Sequence, residues 1–314
     1  MLTFQEFCEK ADHLKRILFN PSYRFESLGT RGFYNNLSDE EYLKRMFKAR
    51  KGYELDLSNP QTFNEKIQWL KLYDHNPLYT TMVDKYAVKE YVASIIGEQY
   101  IIPTLGVWNR FEDLEFDLLP NQFVLKCTHD SGGVVIVKDK SKFNLNAARK
   151  KLNQSLKRNY YYFGREWPYK GVKPRIIAEQ YLTDESGIEL KDYKIHVFNG
   201  IPKLIQIDFD RFSEHKRNIY NCEWEYIDLE IRYPTDSNKK IKRPEKLEEM
   251  LQVATHLSNR IPYIRVDLYS VFDEILFGEL TFYHGSGYER IIPEAYDYEM
   301  GTWIHLPSTL KREV

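Results

Sequence analysis

The sequence predicts an α+β fold in which helices come first and antiparallel strands follow. Helix-capping patterns dominate the first third of the 314 residues, and strand-like runs joined by short turns dominate the rest. Strands and helices do not alternate, which argues against a doubly wound parallel sheet. A chain of this length is too long for one minimal core, so we expect two or three subdomains that share a cleft.

Helices are predicted from their end signals. The tetrapeptide Ser-Asp-Glu-Glu at 38–41 has the form of a capping box and opens a helix that stops at Gly52. The tetrapeptide Thr-Phe-Asn-Glu at 62–65 repeats that form and is followed by apolar residues at helical spacing. Pro77 stands near the start of another helical stretch, which ends at Gly97. Further helices are expected at 144–158 and 244–260.

Antiparallel strands are predicted after Gly97. Asn199-Gly200 supplies the two-residue turn of one hairpin, and a second hairpin is expected near the end of the chain. The segment 160–174, rich in aromatic residues, glycine and proline, is either a mobile flap or a packed loop. The predicted strands are 100–103, 106–108, 123–127, 134–138, 175–182, 193–198, 203–209, 265–271 and 275–283.

Composition excludes several function classes. The formal net charge is -1, so no overall field attracts nucleic acid or an acidic membrane. Cys8, Cys127 and Cys222 are odd in number and widely spaced, which argues against a disulfide framework or a zinc site. We find neither the form of a signal peptide nor an apolar run of about 18 residues. We therefore expect a cytoplasmic protein without a transmembrane segment, and leave peripheral membrane contact and the oligomeric state open.

A phosphate-binding loop is predicted around Lys126. This lysine ends a strand, and two glycines follow after the small polar residues Thr128, Asp130 and Ser131. Glycines in such a loop let backbone amides converge on an anion, and the lysine adds a point charge. No Gly-Lys-Ser/Thr follows, so this is not a Walker loop. The alternative is an ordinary glycine hairpin with an exposed lysine.

A metal site is predicted in the C-terminal hairpin. If an odd-length turn is centred on Asp273, Asp267 lies opposite Glu279 and Arg265 lies opposite Thr281, all on one face. Two opposed carboxylates repel unless a cation lies between them, and Mg²⁺ accepts one or two protein carboxylates together with phosphate oxygens. The alternative is a solvent-facing surface with scattered charge, which the apolar residues around these positions disfavour.

Three further motifs are weaker. Glu179-Gln180-Tyr181-Leu182 lies at a strand exit, where a carboxylate and backbone groups could bind the edge of adenine. Lys194 begins a strand and could reach a phosphate or pair with Asp192. Asp208-Phe209-Asp210 resembles the DxD metal motif of nucleotide-sugar glycosyltransferases, although no mononucleotide-binding strand–helix–strand run precedes it.

The order of these features resembles the ATP-grasp superfamily, and the closer match is its TupA-like branch of teichuronopeptide-type proteins. In that superfamily a lysine strand and a glycine loop cover the phosphates, a Glu-x-x-Leu-type hinge reads adenine, and a late Asp…Glu-x-Asn set holds Mg²⁺. The resemblance covers residues from about 40 to 305. It is carried by FNEKIQWL at 63–70, DKY at 84–86, LP at 119–120, FVLK at 123–126, DYK at 192–194 and FGELT at 277–281.

The resemblance implies an ATP-grasp fold, with a nucleotide cleft between two α+β subdomains that have antiparallel sheets. A mostly helical N-terminal region, 1–118, would precede a lid subdomain at 119–182 and a C-terminal subdomain with the Mg²⁺ hairpin at 183–314. The implied cofactors are ATP and Mg²⁺.

The resemblance also implies three groups of site residues. The catalytic group is Lys126, Lys194 and Arg265. The ATP-binding group is Lys85, Lys126, Ser131, Gly132, Gly133, Glu179, Gln180, Tyr181, Leu182 and Lys194. The Mg²⁺ group is Asp267, Glu279 and Thr281. Thr281 stands where the superfamily has Asn, so its part in metal binding stays open.

The implied activity is that of an ATP-dependent carboxylate–amine ligase that works through an acyl phosphate. The acceptor would be a hexuronic acid of a bacterial surface polysaccharide (capsule, O-antigen or teichuronopeptide) or its precursor, and the amine an amino acid or small amino alcohol. The alternatives are a glycosyltransferase that uses Asp208 and Asp210, a non-catalytic binding protein of the same pathway, and a kinase. No pattern identifies the acceptor site, for which Lys66, Arg217, His284 and Ser286 are only candidates. The abundant aromatic residues fit either a core or a sugar-stacking surface.

Overall fold

The computed structural model describes residues 4–183, 190–210, 213–272 and 274–307, with the backbone alone for residues 4–10. Within these ranges no helix has both the length and the apolar character needed to cross a bilayer. The helices are α1 (Phe4–Phe19), α2 (Pro21–Gly29), α3 (Asp39–Lys51), α4 (Phe63–Tyr73), α5 (Leu78–Val83), α6 (Ala87–Ile96), α7 (Leu145–Leu156), α8 (Tyr161–Gly164), α9 (Leu247–Ser258) and α10 (Ala295–Trp303).

Two antiparallel sheets form the rest of the framework, which confirms the α+β prediction. The small sheet has the strand order β1-β4-β2-β3, the large sheet has the order β11-β10-β5-β6-β7-β8, and β9 pairs with β12. The strands are β1 (Thr104–Trp108), β2 (Phe123–Cys127), β3 (Val134–Val137), β4 (Ile176–Gln180), β5 (Asp192–Phe198), β6 (Ile201–Phe209), β7 (Lys216–Tyr220), β8 (Tyr226–Ile227), β9 (Glu230–Ile231), β10 (Tyr263–Val271), β11 (Glu274–Thr281) and β12 (Ile291–Ile292).

The large sheet has one apolar face and one polar face. Side chains alternate along a strand, so the alternating sequences of β5, β6 and β10 separate the two kinds of residue. The apolar face packs against α9 in the main core, and its residues include Ile195, Val197, Ile205, Ile207, Ile264, Val266, Leu268 and Leu280. The polar face is also largely buried and carries Asp192, Lys194, His196, Gln206, Asp208, Arg265 and Asp267.

The small sheet has its own core beneath α7. Phe123, Leu125, Ile176 and Ala178 pack there against Leu152 of the helix. The turn between β2 and β3 is tied to the same helix, because the Asp130 carboxylate accepts hydrogen bonds from Ser155 Oγ and from the Gly133 amide. The glycine loop is therefore attached to the small sheet and to α7 together.

The N-terminal helices belong to two different cores. Phe63 and Ile67 of α4 and Val88 and Val92 of α6 lie in the main core with the large sheet. Helix α3 packs in a separate cluster, in which Tyr42, Leu43, Met46 and Phe47 meet Tyr288 from the C-terminal part of the chain. The strand β1 follows the last of these helices in sequence and pairs with β4 in the small sheet.

Local signals in the sequence predicted several element ends correctly. Ser38 caps α3 by accepting a hydrogen bond from the Glu41 amide, and Gly52 ends that helix in the left-handed conformation at φ 83°. Both hydrogen bonds of the capping box at Thr62 are present. Asn199-Gly200 joins β5 to β6 with φ values of 47° and 84°, which fits the turn that an Asn-Gly pair favours.

Three predicted elements differ from the structure. The expected strand at 100–103 is absent because Glu98–Tyr100 forms a single 3₁₀ turn and Tyr100 Oη donates to Glu249 on α9. Helix α9 begins three residues after Pro244, at Leu247. The helical stretch from Pro77 is two helices, α5 and α6.

The break between α5 and α6 has a local cause. Asp84 leaves the helical conformation, and its Oδ1 accepts hydrogen bonds from the amides of Tyr86 and Ala87, at 3.0 and 3.4 Å. Its Oδ2 pairs with Arg175 Nη2 at 2.5 Å. The Lys85 amide makes no hydrogen bond within a helix and instead donates to the carbonyl of Thr128 at 3.0 Å. The break therefore presents Lys85 to the small sheet.

The C-terminal hairpin contains the predicted residue pairs, but its turn differs from the predicted one. Asp267 lies opposite Glu279 and Arg265 opposite Thr281, as predicted. However, Val271 pairs with Glu274, so the turn has two residues and its centre is not at Asp273, which itself lies outside the described residues. Leu268 pairs with Phe277, which leaves Gly278 as the extra residue of a β-bulge that restores the register.

Of the two alternatives for segment 160–174, a mobile flap or a packed loop, the structure shows the packed loop. Tyr42 Oη on α3 donates to the Phe163 carbonyl at 3.3 Å, and Lys71 on α4 donates to the Gly164 carbonyl at 2.8 Å. Arg165, which is 2% exposed, donates to the Tyr34 carbonyl at 2.8 Å. These bonds fasten the loop to the N-terminal helices.

The two glycines of the β2–β3 turn should differ in their tolerance of a side chain. A Cβ at Gly133 would lie 2.8 Å from Cys127 Cβ and would also meet Ser155 Oγ, whereas a Cβ at Gly132 meets nothing within 4 Å. Neither glycine has a positive φ, so backbone strain does not enter. We expect Gly133→Ala to lower the free energy of unfolding by about 1–3 kcal/mol in urea denaturation. Gly132→Ala is the control and should leave it unchanged or slightly raised; equal losses for both would contradict this packing.

Candidate functional site

A cleft of about 530 Å³ lies between the small sheet and the polar face of the large sheet. It has a charged part and a less polar part. Of the residues singled out in the sequence, most line it: Lys85, Lys126, Ser131, Glu179, Gln180, Tyr181, Leu182, Lys194, Arg265, Asp267 and Glu279. The fold therefore brings together motifs that are separated by up to 194 positions in the sequence, from Lys85 to Glu279.

A row of charged residues crosses the floor of the cleft. Asp267 on β10 lies directly between Glu279 on β11 and Lys194 on β5. Residues opposed in this way share one face of a sheet. The sequence predicted the first of these pairs, but the second depends on the neighbouring strand order and was not predicted.

The two carboxylates of this row are held by Arg265. Its Nε and Nη2 contact both oxygens of Asp267 at 2.6 and 2.7 Å, and Nη2 lies 3.2 Å from Glu279 Oε1. The opposed carboxylates thus have a guanidinium cation beside them. Burial raises the pKa of Asp267 despite this pairing. Burial also works to raise the pKa of Glu279, but Lys85 and Arg265 outweigh it and lower that pKa to about 2.

Lys85 reaches the cleft from the break between α5 and α6. Its Nζ donates to the Asp130 carbonyl at 2.8 Å and lies 3.6 Å from Glu279 Oε2. The lysine therefore bridges the β2–β3 turn of the small sheet and the edge of the large sheet. A cation in this position can neutralise an anion that enters between the two sheets.

Glu179, on β4 of the small sheet, lies between two lysines, Lys89 on α6 and Lys126 on β2. Its side chain is 6% exposed, and its two oxygens lie 2.6 Å from Lys89 Nζ and 2.6 Å from Lys126 Nζ. Burial works to raise the pKa of Glu179, but Lys126 and Lys89 together lower it. In this arrangement both oxygens of the carboxylate are engaged by lysines, so any contact with an adenine amino group would come from backbone atoms of this strand.

The glycine loop is built differently from the predicted anion nest. A nest requires a left-handed residue, but Gly132 and Gly133 both have negative φ. The Gly133 amide is already bound to Asp130 Oδ1 at 3.0 Å, and the Val134 amide donates to the Gly132 carbonyl at 3.0 Å. Gly133 is required for the close approach to Ser155, and Ser131 is the loop side chain that lines the cleft.

Part of the cleft wall is apolar. Ile102, Leu182, Leu190 and Tyr269 pack together there, beside the exit of β4 at Tyr181. Such a region is suited to a flat aromatic ring, whereas the lysines of the cleft are suited to phosphates. The cleft therefore has the two kinds of surface that a nucleotide requires.

The Asp208-Phe209-Asp210 motif does not form an open metal site. Asp208 Oδ1 contacts Arg217 Nε at 2.7 Å and His215 Nε2 at 3.1 Å, and Oδ2 accepts from Gln206 at 3.0 Å. Asp210 lies beyond the strand at φ 53° and is about half exposed. This arrangement argues against the glycosyltransferase alternative.

A second chamber of about 660 Å³ opens beside the cleft. Both cavities are lined by Lys85, Ser131, Arg265 and Glu279. Three of the four residues guessed for an acceptor, Arg217, His284 and Ser286, line this chamber. The fourth, Lys66, lies elsewhere and donates to the Ile304 carbonyl at 2.9 Å.

One wall of the second chamber is a strained loop held by α4. Gly285, Ser286 and Gly287 all have positive φ, and Ser286 has a side chain that disfavours this conformation. Gln68 donates to the carbonyls of Ser286 and Gly287, at 3.0 and 2.6 Å, and Lys71 Nζ donates to the Ser286 carbonyl at 2.7 Å. This buried clamp fixes the loop.

His284, which begins that loop, is bound to Arg265. The guanidinium donates from Nη1 to His284 Nδ1 at 2.9 Å. Burial, with His196 and Arg265 nearby, lowers the pKa of His284 well below its ordinary value. The ring is therefore neutral with its proton on Nε2, and Nε2 has no partner among the described residues. For the polar face of the large sheet, the signal in the sequence is the alternation of polar and apolar residues in β5, β6 and β10.

The hairpin places two carboxylates, those of Asp267 and Glu279, where Mg²⁺ could be held once Arg265 releases them, since both are paired with it in this structure. Among the described residues no three His, Cys, Asp or Glu side chains converge on one point. Two carboxylates agree with a cation that takes its other ligands from phosphate and water. Thr281 Oγ1 donates to Glu279 Oε1 at 3.1 Å, so the threonine orients this carboxylate.

Comparison with known proteins relates the chain to one family. The family model described as TupA-like ATPgrasp matches residues 65–305. No curated protein matches the sequence. Among solved structures, the chain is similar to D-alanine–D-alanine ligase from Bacillus anthracis complexed with ATP, with 18% identity, a TM-score of 0.37, and coverage of 64% of this chain and 54% of that one.

Two further solved structures are similar at a comparable level. L-amino acid ligase from Bacillus licheniformis has 16% identity and a TM-score of 0.42, with coverage of 71% of this chain and 49% of that one. D-Alanine-D-alanine ligase from Helicobacter pylori has 16% identity and a TM-score of 0.39, with coverage of 79% and 70%. The chain spans 54% to 60% of the length of the first three structures that it matches.

Glu279→Gln should remove the Mg²⁺-dependent part of nucleotide binding. The substitution keeps the size of the side chain but removes the charge that would bind the cation. In thermal unfolding with Mg²⁺ and a non-hydrolysable ATP analogue, at 100 times the dissociation constant, we expect stabilisation of the wild type by about 2.7 kcal/mol. The variant should lose the part of this stabilisation that EDTA removes from the wild type.

Glu274→Gln is the matched control, since Glu274 is exposed at the other end of the same strand. It should keep the full Mg²⁺-dependent shift. An unchanged shift in the Glu279 variant would show that the cation is held elsewhere.

Proposed function

We propose that this chain, which belongs to the TupA-like ATP-grasp family, is an ATP- and Mg²⁺-dependent carboxylate–amine ligase. Its acceptor would be a hexuronic acid of a bacterial surface polysaccharide or of a precursor, and its amine an amino acid or small amino alcohol. The need for ATP suggests a cytoplasmic setting. The polysaccharide assignment rests on the family resemblance and is the part of the proposal that the experiment below addresses.

One observation carries the ligase proposal. The cleft and the second chamber meet at Lys85, Ser131, Arg265 and Glu279. A nucleotide in the cleft, with its base at the apolar part of the wall, would have its terminal phosphate at this junction. An acceptor in the second chamber would present its carboxylate to the same point, and proximity of this kind is a large part of phosphoryl-transfer catalysis.

The residues of the junction and of the adjoining cleft have chemical tasks in this proposal. Lys85 and Lys126 neutralise phosphate charge, and Ser131 covers the phosphates from the lid side. Arg265 orients the transferred phosphate, and Lys194 balances the charge that develops on it. Asp267 and Glu279 would hold Mg²⁺, which would neutralise phosphate oxygens and favour departure of ADP.

The proposed reaction has two steps. An oxygen of the acceptor carboxylate attacks the γ-phosphorus of ATP, the bond from that phosphorus to the bridging oxygen breaks, and ADP leaves. The amine nitrogen then attacks the acyl carbon, phosphate leaves, and the nitrogen gives a proton to the departing phosphate as the amide forms. The packed walls around the junction would keep water from the acyl phosphate.

The test is mass spectrometry of the products from ATP, Mg²⁺, a panel of uronic acids and a panel of amines. We expect a new amide mass together with ADP and phosphate, formed only when both the acid and the amine are present. ADP release with an acid alone would instead indicate a kinase. The absence of a new mass across broad panels would count against the ligase.

Variants separate the proposed site from the DxD motif. Lys126→Met should lower the rate of amide formation by about 10²-fold or more, because one phosphate charge is left unbalanced. Asp210→Ala should leave the rate close to that of the wild type, since Asp210 is exposed and its side chain lies 3.9 Å from Lys239. The opposite pattern of rates would favour the glycosyltransferase alternative.

A further inference from the structure

We infer that the second chamber is the acceptor site for an acidic sugar, and that Glu26 and Arg50 from the N-terminal helices determine its specificity. This inference rests on the proposed function, because it takes a uronic acid as the class of acceptor. Both residues line the chamber. Both also lie outside the family match at 65–305, so they are features of this chain and not of the family model.

The chamber has the chemistry of a site for a hydroxyl-rich ring. Its arginines are already matched with acids: Arg50 Nε lies 3.1 Å from Glu26 Oε1, and Arg232 Nη1 lies 3.5 Å from Glu289 Oε1. Such pairs present donors and acceptors side by side, as the hydroxyls of a sugar require. A site for a simple polyanion would instead have an excess of unpaired cations.

Aromatic rings supply the apolar part of the same wall. Tyr160 packs against Phe163 and Tyr169, with ring centroids 5.9 and 4.9 Å apart, and all three line the chamber. Rings with an apolar body and a polar tip suit a ligand that has both C–H faces and hydroxyl groups. The sugar-stacking alternative considered for the aromatic residues therefore applies to this group, while most of the other rings lie in the cores.

Several buried polar atoms of the chamber wall have no protein partner. His284 is 3% exposed and Tyr288 is 8% exposed, and neither His284 Nε2 nor Tyr288 Oη has a hydrogen-bond partner among the described residues. Arg50 Nε is buried and makes the contact to Glu26 without the geometry of a hydrogen bond. Tyr283 Oη, in the same wall, is a fourth such atom. Buried polar groups are normally satisfied, so four such atoms around one chamber require an explanation.

The N-terminal helices are fixed against the chamber. Arg50 lies on α3 with its guanidinium 4.9 Å from the centroid of the Tyr288 ring, and the next residue, Lys51, donates to the Glu289 carbonyl at 3.0 Å. Glu26 lies on α2, which packs along α3. The pair therefore forms a part of the chamber wall that is rigidly connected to the C-terminal subdomain.

The test measures sugar binding without catalysis. Saturation-transfer NMR is recorded with D-glucuronic acid, D-galacturonic acid and their di- and trisaccharides, in the presence of Mg²⁺ and a non-hydrolysable ATP analogue. We expect the wild type to bind at least one of these acids in preference to D-glucose. Arg50→Gln should weaken that binding by about tenfold, which corresponds to one hydrogen bond to a charged group.

The control is Arg45→Gln. Arg45 lies on the same helix and pairs with Glu41 at 2.5 Å, but its side chain is 55% exposed and does not line the chamber. This variant should bind the acids as the wild type does. Glu26→Gln is the second variant, for the case in which Arg50→Gln does not fold. Retention of the thermal shift with Mg²⁺ and the ATP analogue shows that each variant is folded.

The outcomes distinguish this inference from the proposed function. The inference is overturned if no uronic acid binds the wild type, or if the Arg50 and Glu26 variants bind the acids as tightly as the wild type. If the acids bind in an Arg50-dependent manner but no amide forms with any amine, the site stands and the ligase proposal fails. If amide forms and the variants leave the KM for the acid unchanged, the ligase stands and the specificity role fails.

Discussion

The ion pair between Arg265 and Asp267 is the interaction on which the site depends. Both residues are at most 9% exposed, and a carboxylate in such a place is tolerated only with a partner that satisfies it. The bidentate geometry provides this partner. The same guanidinium also contacts Glu279 and His284, so one side chain joins β10, β11 and the loop that follows them. The junction of the two cavities is organised around this group.

Lysines balance two carboxylates of the cleft, one from each sheet. Glu179 of the small sheet pairs with Lys89 and Lys126, and Lys85 lies beside Glu279 of the large sheet. The position of Lys85 requires a broken helix, because Asp84 directs its carboxylate to the next two amides and to Arg175. A backbone irregularity between α5 and α6 is thus the means by which the helical region contributes a cation to the cleft.

The sequence predicted what local chemistry and strand alternation determine. Caps at Ser38 and Thr62 need only their nearest neighbours, and the hairpin follows from two strands that are adjacent in sequence. The opposition of Asp267 and Glu279 also needs the bulge at Gly278, which was not predicted. The partners of Glu179, the break at Asp84 and the second chamber depend on contacts between distant segments. They could not be read from the sequence, because no local preference indicates which lysine will lie beside a given carboxylate.

The bulge at Gly278 has a consequence for how this hairpin can change over evolutionary time. With the two-residue turn alone, regular pairing would set Asp267 opposite Gly278. The extra residue at Gly278 shifts the register by one position and so sets Asp267 opposite Glu279. Side chains change faces with every single-residue slip, so loss of the bulge alone would direct Glu279 toward the apolar core. Changes that remove the bulge but keep the residue would therefore alter the charged row without replacing any of its residues.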